Sequence, residues 1–337
     1  LLVRDERAAI ASNLDRLALL DVINASARLA DDLECGPVRL STSGRLHLKG
    51  LRHPLMVLAG SRVIPNDAEM LPGAALVVTG PNTGGKTVFI KTVGLCALML
   101  RAGLVPSCTG ESVLPVYSEL LTDMGDDQSI HESLSTFSAH MTNIGRLLDL
   151  AGPGSLVMLD EVAVGTDPVQ GAALARAIVE AFADREAQVL VTTHYAQLKE
   201  LPARDARFAN ASLGFDLERV RPTYQLVRGA PGNSSALSVA RQLGLPAELL
   251  ERAAGLLDPA AAKLDRLLES LERERNEVIE ERDALALEKS RLEKARGQLE
   301  TRLREADEER RRMREKGYDD AVTALRSARD DLERVRK

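Results

Sequence analysis

The stretch Ala75-Leu76-Val77-Val78-Thr79-Gly80-Pro81-Asn82-Thr83-Gly84-Gly85-Lys86-Thr87 decides the fold. Its second part fits G-x-x-x-x-G-K-[ST], the spacing of a loop that wraps a phosphate chain. The five residues ahead of it are short, apolar and β-branched, as a buried parallel strand requires. Val88 to Arg101 continue as an apolar-rich helix, with the next break at Gly103. Backbone N–H groups of such a loop converge on one concavity, and the helix that follows adds its positive end. Lys86 then reaches the β- and γ-phosphates, while the Thr87 hydroxyl ligates Mg2+. A glycine-rich turn that binds nothing has no use for a lysine after Gly84 and Gly85. The stretch reads as a nucleotide site, for ATP or ADP with Mg2+.

A phosphate loop alone hydrolyses nothing, and Leu156-Val157-Met158-Leu159-Asp160-Glu161 supplies the second half. Four apolar residues form a buried strand that carries Asp160 to its C-terminal end, where open α/β sheets place their ligands. Asp160 is expected to hold Mg2+ through its water shell. Glu161 is placed to orient or deprotonate an attacking water. Val189-Leu190-Val191-Thr192-Thr193-His194 is a further strand, and His194 at its end is positioned to sense the γ-phosphate. Ser135-Thr136-Phe137-Ser138 opens a helix running to about Leu150, with Ser135 or Ser138 as a natural N-cap.

Strand candidates alternating with helices from 75 to about 220 imply an α/β fold with a mainly parallel sheet. We divide the chain into four parts. Residues 1–36 form an amphipathic helix with Leu14, Leu17, Leu20 and Ile23 near helical spacing, ended by Cys35-Gly36-Pro37. Residues 37–221 form the nucleotide-binding domain. Residues 222–259 hold two short helices, Ser234 to Gly244 and Pro246 to Leu257, a helix–turn–helix. Glu248 and Glu251 against Arg252 leave it no basic recognition face, so packing or dimerisation is favoured over reading DNA. Residues 260–337 form a long helix in which Leu264, Leu271, Val278, Leu285, Leu292, Leu299, Ala306 and Met313 recur every seven residues. The companion positions Glu274, Glu281 and Glu288 are charged, so this coiled-coil seam is weakly paired or meets a non-identical segment. After Gly317 the stripe resets at Val322 and Leu325. The chain starts at Leu1 in what reads as mid-helix and ends inside a helix, and so reads as a segment of a longer protein.

Composition bounds the partners. Aromatics are 3% and Trp is absent, which leaves little for stacking on single-stranded nucleic acid. A net charge of −6 gives no global basic footprint, so binding to short duplex DNA is expected to be weak and steeply salt-dependent. Cys35, Cys96 and Cys108 lack metal or disulfide spacing and suit a reducing cytoplasm. No apolar run is long enough to span a membrane. Outside the nucleotide site no cluster of His, Asp or Glu suggests a second metal centre, so no nuclease activity is expected of these residues.

GPNTGGKT, LSTFSAHMTNI, LDEVAVGTDP and TTHY, in this order, resemble the ATPase domain of the MutS family, and its bacterial type 2 branch in particular. Arg52-His53-Pro54 is similar to that family's approach to the nucleotide, residues 222–257 to its dimerising helix–turn–helix, and the tail from 260 to the coiled coil that follows. The resemblance implies an ATP-dependent homodimer with two composite sites, built like transporter-type (ABC) ATPases. It implies that Ser135 contacts the γ-phosphate held by the other subunit, that Thr166-Asp167 cross the dimer interface, and that Asn82 and His53 contact nucleotide. Gln128 is the candidate for a Mg2+-linked switch glutamine. Type 2 members are associated with branched DNA, suppression of recombination and, in some cases, stalled ribosomes, and carry a C-terminal Smr nuclease domain that this sequence does not contain. One departure stands out: Val162-Ala163-Val164-Gly165 replaces a glycine-rich LGAG-like run, so this loop is expected to be stiffer. The competing readings are a structural-maintenance or Rad50-like ATPase and a nucleotide-gated scaffold with little turnover. The former would split the two motifs around a very long coiled coil, whereas Thr87 and Asp160 are 73 positions apart here with the coil after both.

Overall fold

The computed structural model describes residues 6–80, 84–125, 133–216, 221–229, 240–241, 244–256 and 259–335. The chain divides into two units, Leu1–Glu269 and Ser270–Lys337.

The first unit is built on a six-stranded sheet. Its strands are β4 (Ala75–Thr79), β6 (Glu119–Met124), β7 (Ser155–Asp160), β8 (Gln188–Thr192), β9 (Phe208–Asp216) and β10 (Arg221–Arg228), in the order β10-β9-β4-β8-β7-β6. All pairings are parallel except β10 with β9. Strand β4 is buried at every residue because both sheet faces are covered. Ala75 and Val77 face one core with Val157, Leu159, Val189 and Val191, under α4 (Ser133–Leu150) and α5 (Pro168–Asp184). Leu76 and Val78 face the other core with Leu156, Met158 and Leu190. That side is covered by α3 (Lys86–Arg101) through Phe89, Ile90, Val93, Cys96 and Ala97. Period-2 alternation inside a continuous apolar run is what a central parallel strand must have. Helix α3 comes so close that a Cβ on Gly94 would lie 2.9 Å from the Met158 side chain.

A smaller sheet closes the second core, with β1 (Arg39–Leu40), β5 (Val113–Leu114), β2 (Leu46–Leu51) and β3 (Asn66–Met70) in that order. Its Leu46, Leu48, Met70 and Leu114 join the core below α3. Helix α2 (Pro54–Leu58) starts on the proline of Arg52-His53-Pro54. The Arg52 guanidinium donates to the carbonyls of Leu33 at 2.6 Å and Glu34 at 3.0 Å, so it caps α1 (Arg7–Asp32) instead of facing the nucleotide loop.

One local expectation changes. Helix α4 already begins at Ser133, so Ser135 and Ser138 lie inside it and neither is an N-cap; the apolar spacing of Leu134, Phe137, Met141 and Ile144 starts the helix earlier. The first helix of the predicted helix–turn–helix falls largely outside the described residues, and the second is α6 (Ala247–Gly255). The final helix α7 (Pro259–Val335) continues through Gly317, so the reset there shifts the apolar stripe and not the backbone. Val278, Leu285, Leu292 and Leu299 on that stripe are each at least 60% exposed. Among the described residues no helix is long and apolar enough to cross a membrane.

Candidate nucleotide site

Two glycines shape the loop that joins β4 to α3. Gly80 has φ +130°, and a Cβ there would lie 3.1 Å from the Leu213 carbonyl oxygen. Gly85 has φ +89°, and a Cβ there would lie 3.1 Å from the Tyr224 ring. Both positions therefore need glycine for backbone freedom and for room. Pro81, Asn82 and Thr83 lie outside the described residues, as does Gln128.

Lys86 is 2% exposed and donates to the Gly80 carbonyl at 2.7 Å. Its ammonium is 3.9 Å from Glu161 Oε1. Burial holds its pKa below the ordinary lysine value, and Glu161 and then Asp160 pull it back up. A buried ammonium is a strong donor to anionic oxygens.

Strand order explains how the acidic pair meets the loop. Asp160 ends β7, and β8 lies between β7 and β4, so Asp160 is two strands from the loop's own strand. Thr87 on α3 bridges the gap, donating to Asp160 Oδ2 at 2.6 Å. Thr192, ending the intervening β8, donates to Asp160 Oδ1 and accepts from the Glu161 N–H at 2.9 Å. One hydroxyl thus orients both carboxylate residues. Glu161 itself sits at φ +52°, where the chain leaves the strand sharply.

Thr87 and Asp160 offer a hydroxyl and a carboxylate, the hard oxygen donors that Mg2+ takes, with Lys86 beside them for phosphate. The residues present therefore fit a Mg2+–nucleotide. A cavity of about 500 Å³ opens beside the loop, lined in part by His53, Met56, Ile64, Gly85, Phe89 and Tyr224. The buried His53 Nδ1 finds no hydrogen-bond partner among the described residues. Burial first, then Lys91, holds the His53 pKa down.

His194 follows β8 at the same sheet edge, exposed, its ring 4.5 Å from that of Tyr195. Ser135 is in the first turns of α4, whose neighbour β6 is three strands from β4, so this chain's topology does not bring it to Lys86. Asp167 caps α5, accepting from the N–H groups of Val169 at 3.1 Å and Gln170 at 3.0 Å.

Several contributors went unmarked in the sequence. Thr192 is one, though a hydroxyl ending a strand beside an acidic pair was a usable signal. Tyr224 is another, held against Gly85 because Asn66 donates to its carbonyl at 2.9 Å across 158 positions. Asp123, 6% exposed, binds His140 at 2.9 Å and accepts from Asn143 at 2.8 Å, which ties α4 to β6.

With this geometry in hand, comparison with known proteins is specific. Residues 76–260 match the model of MutS domain V. The chain is 48% identical over 259 residues to an endonuclease MutS2 of Anaeromyxobacter sp. (strain Fw109-5), covering 74% of this chain and 32% of that protein. It is 45% identical over 249 residues to an endonuclease MutS2 of Brevibacillus brevis, covering 73% and 31%. Against that of Symbiobacterium thermophilum it is 46% identical over 255 residues, covering 75% and 32%. The chain thus spans about a third of the length of the curated relatives it matches.

Proposed function

The chain belongs to the MutS family, of which it carries the ATPase domain, domain V, and from that premise we propose that it is the ATP-hydrolysing module of a dimeric clamp in a MutS type 2 protein. The observation that carries this reading is the convergence of Lys86, Thr87, Asp160 and Glu161 at one sheet edge. Lys86 exchanges its bond to the Gly80 carbonyl for bonds to the β- and γ-phosphates. Thr87 and Asp160 would hold Mg2+, which when bound would neutralise charge building on those phosphates. Glu161 takes the proton of the attacking water, and His194 binds the γ-phosphate. His53 and the cavity beside it receive the base.

Ser135 completes the site of the partner subunit, a reading favoured by its distance along the sheet from its own phosphate loop. Thr166 and Asp167 form the loop that crosses the interface. Residues 37–221 act as the ATPase, 222–259 as the dimerising segment, and 260–337 as a coiled coil whose exposed stripe takes a partner helix. The relatives are named endonucleases, and we take branched DNA as the target of the whole protein, engaged chiefly through regions other than this acidic domain.

A mixing experiment tests the composite site. Lys86→Ala and Ser135→Ala homodimers are both expected to be nearly inactive. In a mixed dimer one site carries both lesions and the other is intact. Equimolar exchange makes half of the dimers mixed, so roughly a quarter of wild-type activity returns for independent sites across a two-fold interface. With exchange verified by energy transfer between labelled chains, no recovered activity would remove the shared-site mechanism.

A further inference from the structure

Just past Asp160 the backbone enters the left-handed region twice, at Glu161 with φ +52° and at Ala163 with φ +60°. Neither is glycine, so each is held against its own steric preference. Such conformations persist only where surrounding groups over-determine them. The buried Val162 anchors the middle of the turn. On one side the Glu161 N–H is held by Thr192. On the other, the Tyr195 hydroxyl donates to the Ala163 carbonyl at 3.0 Å.

Tyr195 is itself fixed. It is 8% exposed, its N–H donates to Thr193 Oγ1 at 2.9 Å, and its ring lies against His194. Helix α5 makes room for this bond with Gly171. A Cβ there would lie 2.5 Å from the Tyr195 hydroxyl and 2.9 Å from the Ala163 carbonyl oxygen. Burial, and then the negative charge of Glu161, push the Tyr195 phenol above its ordinary value, which puts its hydroxyl within the field of that carboxylate.

We propose that Tyr195 is a positioning residue for hydrolysis: its hydroxyl clamps Ala163 in the left-handed turn and so fixes the direction from which Glu161 faces the water. Because Tyr195 adjoins His194, movement of the γ-phosphate sensor is passed directly to the turn that carries Glu161. This rests on Glu161 being the base, as proposed above. The link is specific to the backbone conformation at residue 163. A glycine there would adopt the same turn without steric cost, whereas alanine is strained in it and relaxes once released.

The test is a double-mutant cycle in the full-length protein, with kcat, KM and thermal unfolding measured for each variant. Tyr195→Phe keeps the ring and removes the clamp. It is expected to lower kcat roughly five- to tenfold with KM within about twofold. Ala163→Gly alone is expected to stay near wild type, and Tyr195→Phe in the Ala163→Gly background to lose less than about half as much in kcat as it does alone. Gly171→Ala, which forces the same bond apart from the helix side, should lower kcat with KM preserved. Wild-type kcat in Tyr195→Phe overturns the proposal, and so does an equal loss in both backgrounds, which is the result of a purely structural role. Glu161→Gln, measured alongside, separates the two levels: if it turns over ATP at the wild-type rate, the reading of Glu161 fails, whatever Tyr195 does.

Discussion

Replacing Thr192 with valine removes one hydroxyl and almost nothing else, since the two side chains have the same shape. Thr192 is fully buried. Its hydroxyl donates to Asp160 Oδ1 and accepts from the Glu161 N–H at 2.9 Å. Loss of a bond to a charged acceptor costs about 1.5–3 kcal/mol, and an amide left without a partner about 1–3 kcal/mol. The extra buried methyl returns about 0.8 kcal/mol. The expected net loss is about 3 kcal/mol. For a domain of this size that lowers the unfolding midpoint by about 6–12 °C. Freed from Thr192, Asp160 keeps, among the described residues, its bond from Thr87, and the Mg2+ requirement of ATP hydrolysis should rise at least about tenfold. Calorimetry of the nucleotide-free protein reads the first effect, and a Mg2+ titration of phosphate release reads the second. Thr192→Ser, which keeps the hydroxyl, should restore the Mg2+ dependence while losing about 0.8 kcal/mol for the methyl. A Thr192→Val protein that melts within a degree of wild type with unchanged Mg2+ dependence would refute the bridging role.

Two further outcomes follow from the same side chains and from the core. Lys86→Met should weaken nucleotide binding about a hundredfold, whereas Glu161→Gln should bind normally and lose at least about a hundredfold in kcat; fluorescent-nucleotide titration and single-turnover hydrolysis separate them. Burial pushes the Cys96 thiol up to about 12 from 9.0, so the folded state keeps a proton that the unfolded chain gives up. That stability is fully present below pH 9 and is lost as pH rises towards 12. The stability difference between wild type and Cys96→Ala should therefore shrink by about 1.4 kcal/mol per pH unit across this window in denaturant titrations.

The parts of the site that were legible are those written in consecutive residues. The phosphate loop and the Asp160–Glu161 pair each carry strand, turn and acid or lysine within one short segment, so local pattern and final position coincide. What was not legible comes from strand order. Nothing in the spacing of Thr87, Asp160 and Thr192 says that β8 inserts between β4 and β7, and only that insertion brings Thr192 against Asp160. Tyr224 reaches Gly85 because Asn66 holds β10 by contacts 158 and 160 positions apart. Between Val162 and Val164, where a stiff loop was expected, the alanine takes a dihedral that glycine would adopt freely. The early start of α4 was masked by serines that make good caps in isolation but that an apolar helical period absorbs.

The hydroxyl of Thr87, the carboxylate of Asp160 and the hydroxyl of Thr192 come from three elements that meet only when the large sheet is fully assembled. A ligand held by Thr87 and Asp160, with Thr192 orienting the carboxylate, binds the folded chain and not the unfolded one. On the proposed reading, Mg2+–ATP at a hundred times its dissociation constant adds about 2.7 kcal/mol to folding stability. That shifts the unfolded fraction about a hundredfold, which decides how often the chain is open to proteases.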